Sequence, residues 1–91
     1  MSDRGRRVLI APAAQRQLRR LPPGDAAHLR GPILALSIDA HPPGTSKLGG
    51  TDFWRLRVGD IRIVYLVEDD GSVVVLRVAR RSERTYRRLD R

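Results

Sequence analysis

Hydrophobic and polar positions change period along the chain, and each change marks an element. Arg6 to Ile10 ends in the apolar run Val8-Leu9-Ile10, which has the length of a short first strand. Pro12 suits the first turn of a helix, where its missing N–H would be unbonded in any case. Ala14, Leu18 and Leu21 follow at helical spacing, with Arg16, Arg19 and Arg20 turned to water. Pro22-Pro23-Gly24 ends this helix. A second helix is predicted to start near Asp25, a suitable N-cap, with Ala26, Leu29, Ile33 and Leu36 on one apolar stripe. Gly31-Pro32 interrupts that stripe and predicts a kink or a split. Ala40 to Gly50 is rich in Pro, Gly, Ser and Thr and reads as a loop.

From Phe53 onward the period is two. Trp54, Leu56 and Val58 alternate with Arg55 and Arg57, and Ile61, Ile63, Tyr65 and Val67 continue the alternation after Gly59-Asp60. Asp70-Gly71 predicts a second two-residue hairpin turn before a last strand, Val73 to Ala79. Ser82 to Leu89 reads as a short basic helix capped by Ser82. The order β-α-α-β-β-β-α predicts one α+β domain over residues 1–91. Its expected form is a small antiparallel sheet with two N-terminal helices on one face and a short C-terminal helix.

The turns let the faces of the sheet be assigned. A Gly59-Asp60 loop pairs Val58 with Ile61, Arg57 with Arg62, Leu56 with Ile63 and Trp54 with Tyr65. An Asp70-Gly71 loop pairs Leu66 with Val75 and Val64 with Arg77, which adds Val74, Leu76 and Val78 to the apolar face. A three-residue loop would instead turn Arg77 into the core. The opposite face then collects Arg55, Arg57, Arg62, Arg77 and Arg81. Like charges directly opposite each other destabilise a sheet, so this face predicts an anion site. An RNA phosphate is the first candidate occupant and an acidic protein segment the second. Trp54 and Tyr65 lie on the apolar face and are assigned to the core rather than to base stacking.

Composition sharpens the picture without deciding it. The formal net charge is +8, and every basic residue except Lys47 is arginine. Arginine's planar fork matches phosphate geometry, which favours a polyanionic partner, nucleic acid before others. A genome-wide preference for arginine over lysine would give the same composition, so position must decide. Cysteine is absent, which excludes disulfides and thiolate metal sites. His28 and His41 lack ligand spacing, and no metal or small-molecule cofactor is expected. No apolar run approaches a membrane span and the N-terminus lacks an apolar signal region, so the expected location is the cytoplasm, with no membrane partner.

The segments Trp54-Arg55-Leu56-Arg57-Val58-Gly59-Asp60-Ile61-Arg62-Ile63-Val64-Tyr65 and Val78-Ala79-Arg80-Arg81, followed by Tyr86, resemble the RelE/ParE toxin superfamily of bacterial toxin–antitoxin modules. Leu18 to Pro23 is similar to the junction between that family's two N-terminal helices. The resemblance implies a RelE-type mRNA interferase that enters the ribosomal A site and cleaves mRNA. The ribose 2′-OH attacks the adjacent phosphate, leaving a cyclic phosphate and a free 5′-OH, with no metal. It implies catalytic roles for Arg57, Arg62, Arg81 and Tyr86. Arg62 and Arg81 would stabilise the phosphorane, Arg81 would also protonate the leaving oxygen, and Tyr86 would stack on or orient a base. Arg55, Arg77, Arg84, Arg87 and Arg88 would hold RNA phosphates. The implied partners are the ribosome, mRNA and a cognate antitoxin, RelB-like or Phd-like. Two departures stand out. Arg55 and Arg57 stand where such toxins often carry lysine, and Ala79-Arg80 replaces a common Gly-His or Gly-Lys pair. Arginine cannot serve as a general base, and Glu83 is the nearest carboxylate for that task. The same resemblance admits a ParE-like inhibitor of DNA gyrase that acts by binding, or a non-catalytic member that only binds antitoxin.

Overall fold

The computed structural model describes residues 5–80. Strand β1 (Val8–Ile10) leads into helices α1 (Pro12–Arg20) and α2 (Pro23–Ala35), followed by β2 (Thr45–Lys47), β3 (Trp54–Val58), β4 (Ile61–Val67) and β5 (Val73–Arg80). The five strands form one sheet in the order β1-β5-β4-β3-β2. The architecture is α+β, as the periodicity predicts. The expected terminal helix over Ser82 to Leu89 lies outside the described residues.

Both helices begin at prolines. Pro12 opens α1, and Arg19 and Arg20 sit in its last turn, where the helix dipole favours positive charge. Leu21 leaves the helix with ψ 150 because Pro22 behind it disfavours the helical region. Helix α2 starts at Pro23 with Pro22 at the cap position, so Asp25 lies inside the first turn rather than capping it. Its carboxylate is thereby free to bind Arg80. Helix α2 also runs continuously through Pro32, where a kink or split is the sequence expectation. Pro32 removes one helical donor, but Leu29, Ile33 and Leu36 on the same stripe are buried, and their packing holds the turn together. The helix then tightens into i→i+3 bonds from Leu36, Ser37 and Ile38 to Ile33, Leu34 and Ala35.

Three features of the sheet depart from expectation. The sheet is mixed rather than antiparallel, because β1 pairs parallel to β5, with Leu9 beside Val74. The segment expected to be all loop contains β2, antiparallel to β3. Gly44, at φ +92, turns the chain into β2, and its carbonyl accepts the Arg57 N–H at 3.2 Å. The third departure is the β4–β5 hairpin. Its loop has three residues, with Glu68 N–H donating to Ser72 C=O at 2.7 Å and Gly71 at φ +90. Tyr65 therefore pairs with Val75 and Leu66 with Val74, one residue away from the expected register. A bulge then inserts Leu76, after which Val64 pairs with Arg77 as expected.

That shift reassigns side chains. Val73 and Val75 turn to the helices and are fully buried, whereas Val74 and Leu76 are only half-buried. Of the expected trio Val74, Leu76 and Val78, Val78 alone joins the core. The first hairpin has all four expected pairs, with Arg55 opposite Val64 between them and Gly59 at φ +62 in the first loop position. Leu29, Leu36, Ile63, Tyr65, Val73 and Val75 form the centre of the core between helices and sheet. Tyr65 donates its hydroxyl proton to the Ala40 carbonyl, and burial pushes its phenol above the ordinary value. Trp54 packs against the core edge and meets the exposed His41 ring at 4.1 Å.

Candidate nucleic-acid interface

Strand alternation sends Arg55 and Arg57 of β3, Arg62 of β4 and Arg77 of β5 to the face away from the helices. Arg57 stands directly opposite Arg62. The Arg57 N–H points to Gly44 on the β2 side, so Arg57 and Arg62 form a non-hydrogen-bonded pair, the arrangement in which opposing side chains come closest. Arg55 and Arg77 flank Val64 from the two neighbouring strands. Val64 is only 1% exposed although it faces away from the helices, and Ala79, opposite Arg62, is 6% exposed. Two apolar residues thus lie buried between the arginine positions of this face. Arg57 is exposed, whereas Arg55, Arg62 and Arg77 are half-buried.

The described strand positions of this face carry charge of one sign. No described strand position on it carries a carboxylate, and like charges facing across a ladder cost stability unless an anion screens them. Of the acids in the strand turns, Asp60 sits at the arginine end, 3.7 Å from Arg80, and the others gather elsewhere. Glu68, Asp69 and Asp70 occupy the β4–β5 turn, at the opposite end of β4 from Arg62 and about 20 Å along the strand. Hydrogen bonds from Ser72, its backbone N–H first, hold the Asp70 carboxyl below its ordinary value. A polyanion approaching this face is therefore drawn to the arginine end and repelled from the acidic turn. The chemistry available is that of fixed donors around a phosphate. Guanidinium groups can neutralise and orient it, but they cannot accept a proton.

Arg80 belongs to a different part of the molecule. It pairs with Ile61 on the helix side, where its guanidinium binds Asp25 at 2.5 Å and lies 3.7 Å from Asp60. It ties the start of α2 to the β3–β4 turn and to the end of β5. Arg81, Glu83, Arg84, Tyr86, Arg87 and Arg88 lie outside the described residues.

Two contributors escape a reading of the sequence. Ser46 of β2 stands opposite Arg55, and its Oγ accepts a hydrogen bond from Arg55 Nη2 at 3.1 Å. Leu66 and Val74, paired across β4 and β5, extend the arginine face as a half-buried apolar band. A regular Asp70-Gly71 turn would have set Val75 opposite Leu66, so the three-residue loop decides that Val74 completes this band. Arg16, Arg19 and Arg20 are exposed on α1, as their spacing predicts. Among the described residues no group of three His, Cys, Asp or Glu side chains is placed to hold a metal ion, and no helix is long and apolar enough to cross a membrane.

Comparison with known proteins gives this geometry a context. The archaeal RelE–RelB complex of Pyrococcus horikoshii OT3 contains a chain with 27% identity and a TM-score of 0.76, covering 87% of this chain and 98% of that one. In the RelBE2 toxin–antitoxin complex of Mycobacterium tuberculosis the values are 27%, 0.75, 85% and 99%. The isolated RelE toxin of E. coli shares the fold at 19% identity and a TM-score of 0.73, over 93% of this chain and 95% of that one. No curated protein matches the sequence. Residues 8–85 match the profile of a family described as the ParE toxin of the type II toxin–antitoxin system parDE. With nearly its whole length inside that profile and a RelE-like fold, the chain belongs to the ParE toxin family of type II toxin–antitoxin systems, within the RelE/ParE superfamily.

Proposed function

We propose that this toxin is a ribosome-dependent endoribonuclease that cleaves mRNA in the A site. One observation carries the reading: Arg57 and Arg62 face each other as a closest-approach pair, beside Arg55 and Arg77, on a face without a carboxylate at any described strand position. Such a cluster of guanidinium groups suits an anion, and a phosphodiester fits the planar donors of arginine.

In the proposed reaction the substrate supplies its own nucleophile. The ribose 2′-oxygen bonds to the adjacent phosphorus as the bond to the 5′-oxygen breaks, giving a cyclic phosphate and a free 5′-OH. The 2′-OH proton leaves to a base, and the 5′-oxygen gains a proton. Arg62 and Arg57 stabilise the extra negative charge of the phosphorane, while Arg55 and Arg77 hold flanking phosphates. None of the four can take the 2′-OH proton. Glu83 is the candidate base, and water or the ribosome supplies the proton to the 5′-oxygen, while Arg81 adds charge stabilisation and Tyr86 orients a base of the RNA. Arg84, Arg87 and Arg88 add phosphate contacts. The relatives crystallised with RelB support a cognate antitoxin as the partner; in this reading its acidic or amphipathic segment covers the arginine face or displaces the terminal helix. The site of action is the cytoplasm.

The ParE description of the matching family favours a second reading, inhibition of DNA gyrase by binding without nuclease chemistry. Induction of the toxin followed by mapping of mRNA 5′ ends separates the two. Codon-positioned cuts that disappear in Arg62→Ala support the nuclease. Intact mRNA with gyrase-linked DNA breaks selects the second reading.

A further inference from the structure

Strand β2 lies at the edge of the sheet beyond β3, and its middle residue stands directly opposite Arg55. That residue is Ser46, whose Oγ accepts from Arg55 Nη2 at 3.1 Å, with both side chains partly buried. The strand around Ser46 is anchored on the other pleat. Thr45 donates its hydroxyl proton to the Pro42 carbonyl, and Lys47 Nζ lies 5.8 Å from the Trp54 ring centroid. Ser46 is therefore held where it can hold something else.

The residue type matters. An arginine at a sheet surface has many rotamers, and fixing one for a ligand costs entropy at the moment of binding. A carboxylate at position 46 would order Arg55 more firmly but would cancel the charge the site needs. An alanine would leave the charge and remove this contact. A serine hydroxyl fixes the direction of the guanidinium and leaves its charge intact. We propose that Ser46 is a positioning residue, which preorders Arg55 to receive an RNA phosphate. The inference rests on reading the arginine face as an RNA site.

The test uses the full chain and a short single-stranded RNA oligonucleotide, titrated by fluorescence anisotropy over a range of salt concentrations. Ser46→Ala is expected to weaken binding about three- to tenfold, the size of one ordinary hydrogen bond. The slope of log K against log salt should stay unchanged, because Arg55 keeps its charge. Arg55→Gln should weaken binding and also flatten that slope by roughly 0.7, the value for one phosphate contact on a single strand. Ser46→Thr should restore affinity, and Ser46→Ala should cost nothing further in the Arg55→Gln background. NMR relaxation of the Arg55 Nε–Hε group, without RNA, should show lower order in Ser46→Ala. Wild-type protein that binds RNA while Ser46→Ala binds it equally well overturns the role of Ser46. So does unchanged Arg55 order, or a full loss on adding Ser46→Ala to Arg55→Gln. A wild type that binds no RNA, with Arg55 order still lowered in Ser46→Ala, overturns the RNA reading of the face and leaves the ordering of Arg55 by Ser46 standing.

Discussion

Replacing Arg57 by Gln should stabilise the unliganded protein, and the structure sets the size of the gain. Arg57 and Arg62 occupy a non-hydrogen-bonded pair, which places their Cα atoms about 4.5 Å apart. Two guanidinium charges about 6 Å apart repel by about 0.7 kcal/mol at the dielectric constant of water, and by about 1.4 kcal/mol at half that value. Arg57 is exposed, so the lower figure is the better guide. Mobile ions leave about four-fifths of the repulsion at 10 mM salt and about a seventh at 1 M. Arg57→Gln should therefore gain about 0.5–1 kcal/mol at 10 mM salt and about 0.1–0.2 kcal/mol at 1 M. For a domain of this size the first figure corresponds to a Tm increase of about 2–8 °C. Because Arg62 makes other interactions as well, the pair is isolated by a cycle of Arg57→Gln, Arg62→Gln and the double variant, unfolded in urea at both salt concentrations. A coupling energy that is zero or favourable at 10 mM, or one that ignores salt, refutes the crowding argument and the anion site built on it.

Three further outcomes follow from the same structure. Tyr65→Phe should cost about 1–3 kcal/mol in urea unfolding, because it leaves the Ala40 carbonyl without its donor. Burial raises the Tyr65 phenol above 10.0, so the folded state keeps a proton that the unfolded chain releases. Its stabilising contribution is complete below pH 10 and is lost as pH rises through the folded value; Tyr65→Phe should lack that loss, as pH-dependent unfolding above pH 10 would show. Arg77→Gln should weaken RNA binding and flatten its salt dependence by roughly 0.7, whereas Arg80→Gln on the helix side should leave the slope unchanged. With both partners over a third exposed, loss of the Arg80–Asp25 pair should cost about 0.5–1 kcal/mol of stability, and equal flattening by the two variants would refute the assignment of faces.

The arginine face was legible because its central hairpin obeys simple rules. Trp54 to Tyr65 alternates without interruption around Gly59-Asp60, and a two-residue turn leaves one register that buries the apolar set. The helices were legible from Ala14, Leu29, Ile33 and Leu36, all buried as their spacing requires. What stayed hidden was decided by tertiary contact. Thr45–Lys47 has no apolar alternation, and it becomes a strand only because β3 offers it an unpaired edge. The parallel pairing of β1 depends on where two helices return the chain, which a three-residue strand cannot announce. The continuity of α2 through Pro32 reflects packing that outweighs a local penalty. Ser46 was illegible for the same reason as its strand. In the second hairpin two misreadings offset each other: the loop is one residue longer than a tight turn, and the bulge at Leu76 restores the pairing of Arg77.

That bulge also makes the tip of the sheet a replaceable module. From Tyr65 to Leu76 the chain leaves the arginine end, passes through the acidic turn and returns, and only the parity of its length decides which face Arg77 takes. A tip rebuilt with a different loop, or with the bulge removed and the turn shortened to match, delivers Arg77 to the same place opposite Val64. A single added residue without a compensating irregularity would swing it toward the helices. Variation at the tip is thereby uncoupled from the arginine face, so the turn is free to change while the arginines keep their positions.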